Sequence, residues 1–187
     1  ETIVQLIAKS KRSKIIDKII DAIFKIQGGY ALTILTNKKL IGIRDPFGIR
    51  PLVIGKLNKS YVLASETCAL DIIGAKFVRE VENGEIVIIT ENGLESIKPF
   101  PKMKERSCIF EYIYFARPDS IIKNISVYEY RKKLGASLAK ESHVNSDLIV
   151  PVPDSGVPAA IGYAEEVKKN VELGIIRNHY VGRTFIE

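Results

Sequence analysis

The chain has 187 residues, 46% of them hydrophobic and 27% charged, which is enough to bury a core in one domain or in two small ones. Its net charge of +6 comes from scattered basic residues without interleaved aromatics, so we expect no nucleic-acid partner, and no run approaches the roughly 18 apolar residues of a membrane span. The first residues show no signal-peptide pattern and the two cysteines have no CxxC spacing, so we expect a soluble protein of the reducing cytoplasm with no membrane partner.

The first part of the chain predicts two helices followed by antiparallel strands. Apolar residues recur at spacings of three and four in residues 1–10 and 13–26, which is the pattern of amphipathic helices. Short β-rich runs then predict an antiparallel meander packed on these helices, and they occupy residues 30–35, 40–43, 52–54 and 61–64. The turn at residues 45–51, with Arg44 and Arg50, is interpreted as architectural.

A short helix is expected next, over residues 65–73, and more strands follow it. These strands are predicted at residues 77–78, 85–90 and 94–97. Asn92-Gly93 is a strong signal for the turn of a hairpin between the last two.

The composition changes at residues 98–106, where two prolines and four basic residues fall within nine positions. This pattern is typical of a linker, so we predict one domain over residues 1–102 and a second over 103–187. The second begins with an aromatic, strand-like run at 109–115.

Helix and strand alternate in the rest of the chain, which predicts the start of a parallel α/β sheet. A helix over 126–141 has apolar positions that include Val127, Tyr130, Leu134 and Leu138. An apolar strand at 148–152, a helix at 157–167 and a short strand at 172–176 follow.

Residues 153–156, Pro-Asp-Ser-Gly, form an elbow between the predicted strand at 148–152 and the following helix. A helix that starts behind a tight loop presents free backbone N–H groups and a positive dipole end to an anion. One hypothesis is that Ser155 and Gly156 face a phosphate-bearing ligand or its metal ion. The alternative is an ordinary strand-to-helix connection in which Asp154 or Ser155 caps the helix.

Several stretches taken together resemble the glutamine phosphoribosylpyrophosphate amidotransferases, and the resemblance covers nearly the whole chain. The stretches are residues 44–52, 64–71, 110–120, 151–156 and 178–186. The family implies an α+β region followed by an α/β region. The first is the back part of an N-terminal-nucleophile glutaminase, a sandwich of two antiparallel sheets between helix layers, and the second is the start of a phosphoribosyltransferase fold.

The resemblance implies the first step of purine synthesis. A cysteine hydrolyses glutamine, and the ammonia attacks C1 of phosphoribosylpyrophosphate as pyrophosphate leaves. The family's nucleophile is the first residue of the mature enzyme, where this chain has Glu1, and the acidic phosphoribosylpyrophosphate motif is absent from the 187 residues. We therefore assign no catalytic residue here and expect a segment of a longer polypeptide that is inactive alone.

The family's substrate-binding positions fall on the elbow and on the loop at 177–186, which in the family closes over phosphoribosylpyrophosphate and excludes water. The corresponding residues are Asp154, Ser155, Gly156, Arg177, Tyr180, Gly182, Arg183 and Thr184. Ser155 matches a contributor to the Mg²⁺ site, and Asp154 is a nucleotide-site group or a turn residue. His179 stands where many members have a basic residue, which puts a phosphate contact there in doubt.

Cys108 matches a position that ligates a 4Fe-4S cluster in one branch of the family and is a plain cysteine in others. The family also implies glutamine or ammonia and phosphoribosylpyrophosphate as substrates, purine nucleotides as feedback inhibitors, and a homo-oligomer, either dimer or tetramer.

Two other functions remain open. A different class II glutaminase-linked enzyme would account for residues 1–100 but not for the elbow and the final loop. A nucleotide-binding regulatory module would retain the fold without catalysis.

Overall fold

The computed structural model describes residues 1–182, and the chain divides into two compact units. The first unit comprises Glu1–Ser65 and Ala69–Cys108, and the second comprises Glu66–Cys68 and the chain from Ile109 onward. The first unit thus continues past Lys102, where the linker composition placed the boundary. None of the helices within residues 1–182 is both long enough and apolar enough to cross a lipid bilayer.

Two amphipathic helices open the first unit, as the apolar spacing predicts. Helix α1 spans Thr2–Lys9 and helix α2 spans Ile15–Ile23. Isoleucines recur on one side of α2, and Ile19 and Ile23 are fully buried there.

The strands of the first unit form two antiparallel sheets. The first sheet contains, in spatial order, β1 (Ala31–Leu35), β2 (Leu40–Arg44), β6 (Ile86–Thr90) and β7 (Gly93–Ile97), and the second contains β4 (Ser60–Ala64), β3 (Val53–Leu57) and β5 (Lys76–Glu80). The predicted single meander is wrong at the step from β2 to β3. The turn after Arg44 leads the chain into the other sheet, because buried Asp45 holds that turn through several backbone N–H groups.

The first sheet is packed on both faces, because successive side chains of a strand point to opposite sides. Ile86 and Ile88 of β6 pack with Ile19 and Ile23 of α2. Val87, between them, packs instead with the cluster of the second sheet.

A third helix, α3 (Thr67–Ile72), covers the second sheet. Its Leu70 packs against Val53 of β3 in a separate buried cluster. The first unit is therefore layered as helix, sheet, sheet and helix.

The hairpin predicted between β6 and β7 is confirmed, with its turn one residue earlier than expected. Thr90 pairs with Gly93, so the turn residues are Glu91 and Asn92. Gly93 takes a φ of 122°, a conformation that side chains rarely adopt. Gly93 was predicted to lie in the turn, but it is the first residue of β7.

The second unit alternates short strands with helices. Its elements are a π-helix (Glu111–Phe115), β8 (Ile121–Ile122), β9 (Ile125–Ser126), α4 (Val127–Glu141), β10 (Leu148–Ile149), α5 (Val157–Val167) and β11 (Asn170–Val171). The strands β10 and β11 pair in parallel, as the alternation predicts. Ser126 caps α4 by accepting a hydrogen bond from the N–H of Glu129.

Two strand predictions in this unit are wrong. The aromatic run at 109–115 forms the π-helix, since its β-forming residues pack on α4 through Tyr112 rather than alternating across a sheet. No strand forms at 172–176; the shorter β11 lies immediately before this range and ends at Val171. The strand expected at 148–152 begins where it was predicted but is shorter, because β10 ends at Ile149.

Helix α4 buries a different face from the one that its large apolar residues predict. Its buried residues are Val127, Arg131, Gly135 and Ala139, whereas Leu134 and Leu138 are exposed. The reason lies in α5, which approaches so closely that only small residues fit between the helices. A Cβ on Gly135 would lie 1.9 Å from the carbonyl oxygen of Ala159, and one on Gly162 would lie 1.9 Å from that of Lys132.

Candidate functional site

An open pocket of about 770 Å³ lies in the second unit. Three stretches of chain form its walls: residues 114–118 at the end of the π-helix and just beyond it, residues 153–155 of the elbow, and part of the segment at 177–182. Arg131 of α4 also borders it. The pocket is thus built from parts that are far apart in sequence.

The elbow reaches the pocket through exposed polar side chains at the start of α5. Asp154 and Ser155 are both exposed and line the pocket, whereas Gly156 does not line it. The N–H of Gly156 donates to the carbonyl of Val152 at 3.1 Å, so this amide is already used within the loop. No side chain of the described chain caps α5, so the interpretation of Asp154 or Ser155 as a helix cap is wrong.

Three guanidinium groups line the pocket, and they favour an anionic ligand. Arg177 Nη1 lies 3.3 Å from Asp154 Oδ2, so the segment after β11 is joined to the elbow by an exposed ion pair. Arg117 pairs with Asp119 through two hydrogen bonds of 3.0 and 2.9 Å. These hydrogen bonds raise the pKa of Arg117 and lower that of Asp119.

The third guanidinium, that of Arg131, is almost completely buried. It donates to the carbonyl oxygens of Tyr112 and Ala116, both at 2.7 Å. Burial lowers the pKa of Arg131, and the charge of Glu66 opposes that shift. Tyr114 and Phe115, in the π-helix that Arg131 contacts, form the aromatic wall of the pocket.

Known proteins match this chain in both sequence and structure. The family model for a glutamine amidotransferase domain matches residues 1–71. An amidophosphoribosyltransferase of Rhizobium etli is 56% identical over all of this chain, which covers 39% of that protein. A chloroplastic amidophosphoribosyltransferase of Glycine max is 50% identical, with 100% of this chain and 33% of the relative covered.

A solved glutamine phosphoribosylpyrophosphate amidotransferase from Bacillus subtilis, complexed with ADP and GMP, superposes with a TM-score of 0.93 at 46% identity. The alignment covers 99% of this chain and 41% of that structure. The chain is similar over its whole length to amidophosphoribosyltransferases. It spans about two fifths or less of the length of these relatives.

Half of the residues that the amidophosphoribosyltransferase resemblance assigns to substrate binding lie together in the structure. Asp154, Ser155, Arg177 and Gly182 line the pocket. Gly156, the last residue of the elbow, does not line the pocket, and Tyr180 is 99% exposed without lining it. Arg183 and Thr184 lie outside the described residues.

Several residues that line the pocket were not predicted as site residues from the sequence. Tyr114, Phe115 and Arg117 belong to a stretch that supported the amidophosphoribosyltransferase resemblance, so that stretch could have indicated them. Arg131 had no such signal, because a basic residue on an amphipathic helix normally indicates the solvent face.

The resemblance implies Mg²⁺ and, in one branch of the family, a 4Fe-4S cluster. The hydroxyl of Ser155 and the neighbouring carboxylate of Asp154 are oxygen donors of the kind that Mg²⁺ prefers. Cys108 is a free cysteine, and within residues 1–182 no three His, Cys, Asp or Glu side chains come together to hold a metal. One cysteine cannot hold a 4Fe-4S cluster, so the cluster at Cys108 stays a prediction.

Proposed function

We propose that this chain is a segment of an amidophosphoribosyltransferase that makes 5-phosphoribosylamine, glutamate and pyrophosphate from phosphoribosylpyrophosphate and glutamine. One observation carries the proposal: the similarity to the Bacillus subtilis enzyme extends across both units at a TM-score of 0.93. A glutaminase attached to a different enzyme would account for the first unit alone. The proposed amidophosphoribosyltransferase would be located in the cytoplasm or in the corresponding compartment of an organelle, as in the chloroplastic relatives.

The first unit would belong to an N-terminal-nucleophile glutaminase. Its helix, sheet, sheet and helix layers support this fold, and the glutamine amidotransferase model covers its first 65 residues. This unit would supply the scaffold behind a cysteine nucleophile that lies outside the chain, and it would deliver ammonia from glutamine.

The second unit would begin a phosphoribosyltransferase fold, which the parallel pair β10 and β11 around α5 supports. Phosphoribosylpyrophosphate would bind in the pocket, with Arg177 on a phosphate group. Because Asp154 already pairs with Arg177, the substrate would replace one carboxylate contact with a phosphate contact. The segment at 177–186 would then exclude water, which competes with ammonia for C1.

Ser155 would contribute to the Mg²⁺ site, where the ion neutralises the leaving pyrophosphate. We assign no step to a 4Fe-4S cluster. Purine nucleotides would act as feedback ligands, as the complex of the Bacillus subtilis relative with ADP and GMP suggests for that protein. The whole enzyme would form a homo-oligomer, either dimer or tetramer.

The test is pyrophosphate release by the full-length protein that contains this chain, with ammonia as the nitrogen donor. We expect release that depends on phosphoribosylpyrophosphate and Mg²⁺. Arg177→Ala should raise the KM for phosphoribosylpyrophosphate about tenfold or more, since a charge-assisted contact to phosphate contributes about 1.5–3 kcal/mol. Lys133→Ala, an exposed cation of the same unit away from the pocket, should leave the KM unchanged.

Absence of pyrophosphate release from the folded full-length protein would refute the proposed amidophosphoribosyltransferase activity. Binding of AMP or GMP by that same inactive protein would favour the alternative, a nucleotide-binding regulatory module.

A further inference from the structure

The π-helix beside the pocket depends on hydrogen bonds from outside its own backbone. One i→i+5 bond, at its C-terminal end, runs from the N–H of Ala116 to the carbonyl of Glu111 at 3.0 Å. The next bond in such a helix would run from Arg117 to Tyr112, but the N–H of Arg117 donates to Glu66 instead. The end of the π-helix therefore leaves carbonyl groups that need other donors.

Arg131 supplies those donors. Its Nε donates to Tyr112 and its Nη2 donates to Ala116, so one planar guanidinium joins two carbonyls four residues apart. The side chain is 3% exposed, and Tyr112 stacks at 4.6 Å on Tyr130, the residue before Arg131. A buried charge with this geometry is costly to move, so it fixes the groups that it contacts.

The same π-helix supplies the aromatic wall of the pocket. Tyr114 and Phe115 lie between the two carbonyls that Arg131 holds, and both line the pocket. A π-helix is rare and short, and such segments occur frequently at functional sites. Any displacement of its backbone would move both aromatic side chains relative to the elbow on the other side.

We propose that Arg131 is a positioning residue for phosphoribosyl transfer: it braces the π-helix and thereby places the Tyr114–Phe115 wall against the bound phosphoribosylpyrophosphate. This role rests on the proposed function. Arg131 acts through the wall and does not take part in bond making or breaking.

The test compares Arg131→Met and Arg131→Lys in the full-length protein. Met preserves bulk and removes both donors, and Lys keeps a charge that can reach one carbonyl. With ammonia as donor, Arg131→Met should lower kcat/KM for phosphoribosylpyrophosphate at least about tenfold, because small displacements in an active site are costly. Arg131→Lys should restore part of the loss, and glutamine hydrolysis should stay within twofold for both.

Arg79→Met is the matched control. Arg79 also makes a two-pronged contact, to Glu85 at 2.8 and 2.7 Å, but it lies in the first unit. We expect it to lower thermal stability while leaving the KM for phosphoribosylpyrophosphate unchanged. A purely structural role for Arg131 would make its variants behave like this control, which would overturn the proposal.

Amide hydrogen exchange separates this proposal from the proposed function. Residues 112–116 should exchange faster in Arg131→Met than in the wild type. Unchanged exchange there would refute the proposal that Arg131 stabilises the π-helix. A wild-type protein with no phosphoribosylpyrophosphate-dependent activity would refute the proposed function, and with it the positioning role, whatever the exchange result.

Discussion

At the scale of single residues, Asp45 organises the turn that sends the chain from one sheet to the other. Its carboxylate is fully buried and accepts hydrogen bonds from the N–H groups of Tyr30, Phe47, Ile49 and Arg50. Arg44 beside it donates to the backbone carbonyls of the same region. The interpretation of this turn as architectural is confirmed.

Asp45→Asn should destabilise the protein strongly. The amide keeps the shape but turns one acceptor oxygen into a donor that faces N–H groups, so we expect a loss of about 2–4 kcal/mol in the free energy of unfolding. Urea unfolding followed by circular dichroism measures it. The exposed Asp71→Asn should change the value by less than about 0.5 kcal/mol, and equal effects for the two variants would contradict the assignment.

Glu85 is a second buried carboxylate, and it gives the first unit a dependence on pH. Burial tends to raise its pKa, but hydrogen bonds from Arg79, Ser96 and the N–H of Glu82 outweigh burial, and the pKa is lowered from 4.5. A carboxylate with a lowered pKa stabilises the fold above its unfolded value, and this contribution is lost as the pH falls through the folded value.

Glu85→Gln should therefore destabilise the protein at pH 7, by about 1–3 kcal/mol, because Arg79 and the N–H of Glu82 lose a charged partner. The difference from the wild type should shrink as the pH falls below about 4.5, where unfolded Glu85 is protonated. Unfolding midpoints between pH 3 and pH 7 measure this change. Glu95→Gln, on the exposed side of β7, should show no such trend.

At the scale of elements, helices α4 and α5 contact each other through their backbones. Gly162→Ala should destabilise the second unit by at least about 1–3 kcal/mol, since the new Cβ would overlap the carbonyl of Lys132 and force the helices apart. Ser137→Ala, on the exposed face of α4, should be neutral or slightly stabilising. Thermal unfolding of both variants decides this, and an unchanged midpoint for Gly162→Ala would contradict the close approach.

Periodicity located these helices well but not the face that α4 buries. The bounds of α5 are confirmed at both ends, and α4 begins one residue after its predicted start and ends at its predicted last residue. The pattern of Leu134 and Leu138 was misleading because their contacts depend on how closely α5 approaches. A glycine pair that permits close approach cannot be distinguished, in one sequence, from two glycines in weak helices.

The π-helix illustrates a second limit. The residues around Tyr112 have high β propensity, and the buried Arg131, nineteen residues later, provides donors for carbonyls of a non-standard helix. Propensity describes neighbours in sequence, so a segment held by a distant side chain cannot be recognised from it. The elbow was found because its signal is local.

At the scale of the whole molecule, residues 101–107 have no regular secondary structure and are exposed. The linker composition predicted this segment. Its last part is held to the first unit, because the N–H of Arg106 donates to the carbonyl of Phe47. Trypsin should therefore cleave first at Lys102 or Lys104, because exposed irregular backbone is the preferred site of nicking.

Mass spectrometry of the earliest products identifies the cleaved bond. Changing both lysines to Gln should slow the first cleavage markedly, while Lys140→Gln, in a helix, should have no effect. An initial cut elsewhere within residues 1–182 would show that another segment opens more readily.

One helix sets the gap between the two walls of the pocket. Arg131 of α4 holds the π-helix, and Gly135, four residues later, seats α5 behind the elbow. Four residues of α-helix are about 6 Å of rise and a little over one full turn, so both attachments lie on one side of α4. A single residue inserted between them would rotate one attachment by about 100° relative to the other. The span from 131 to 135 therefore tolerates exchange of its outward side chains but no change of length.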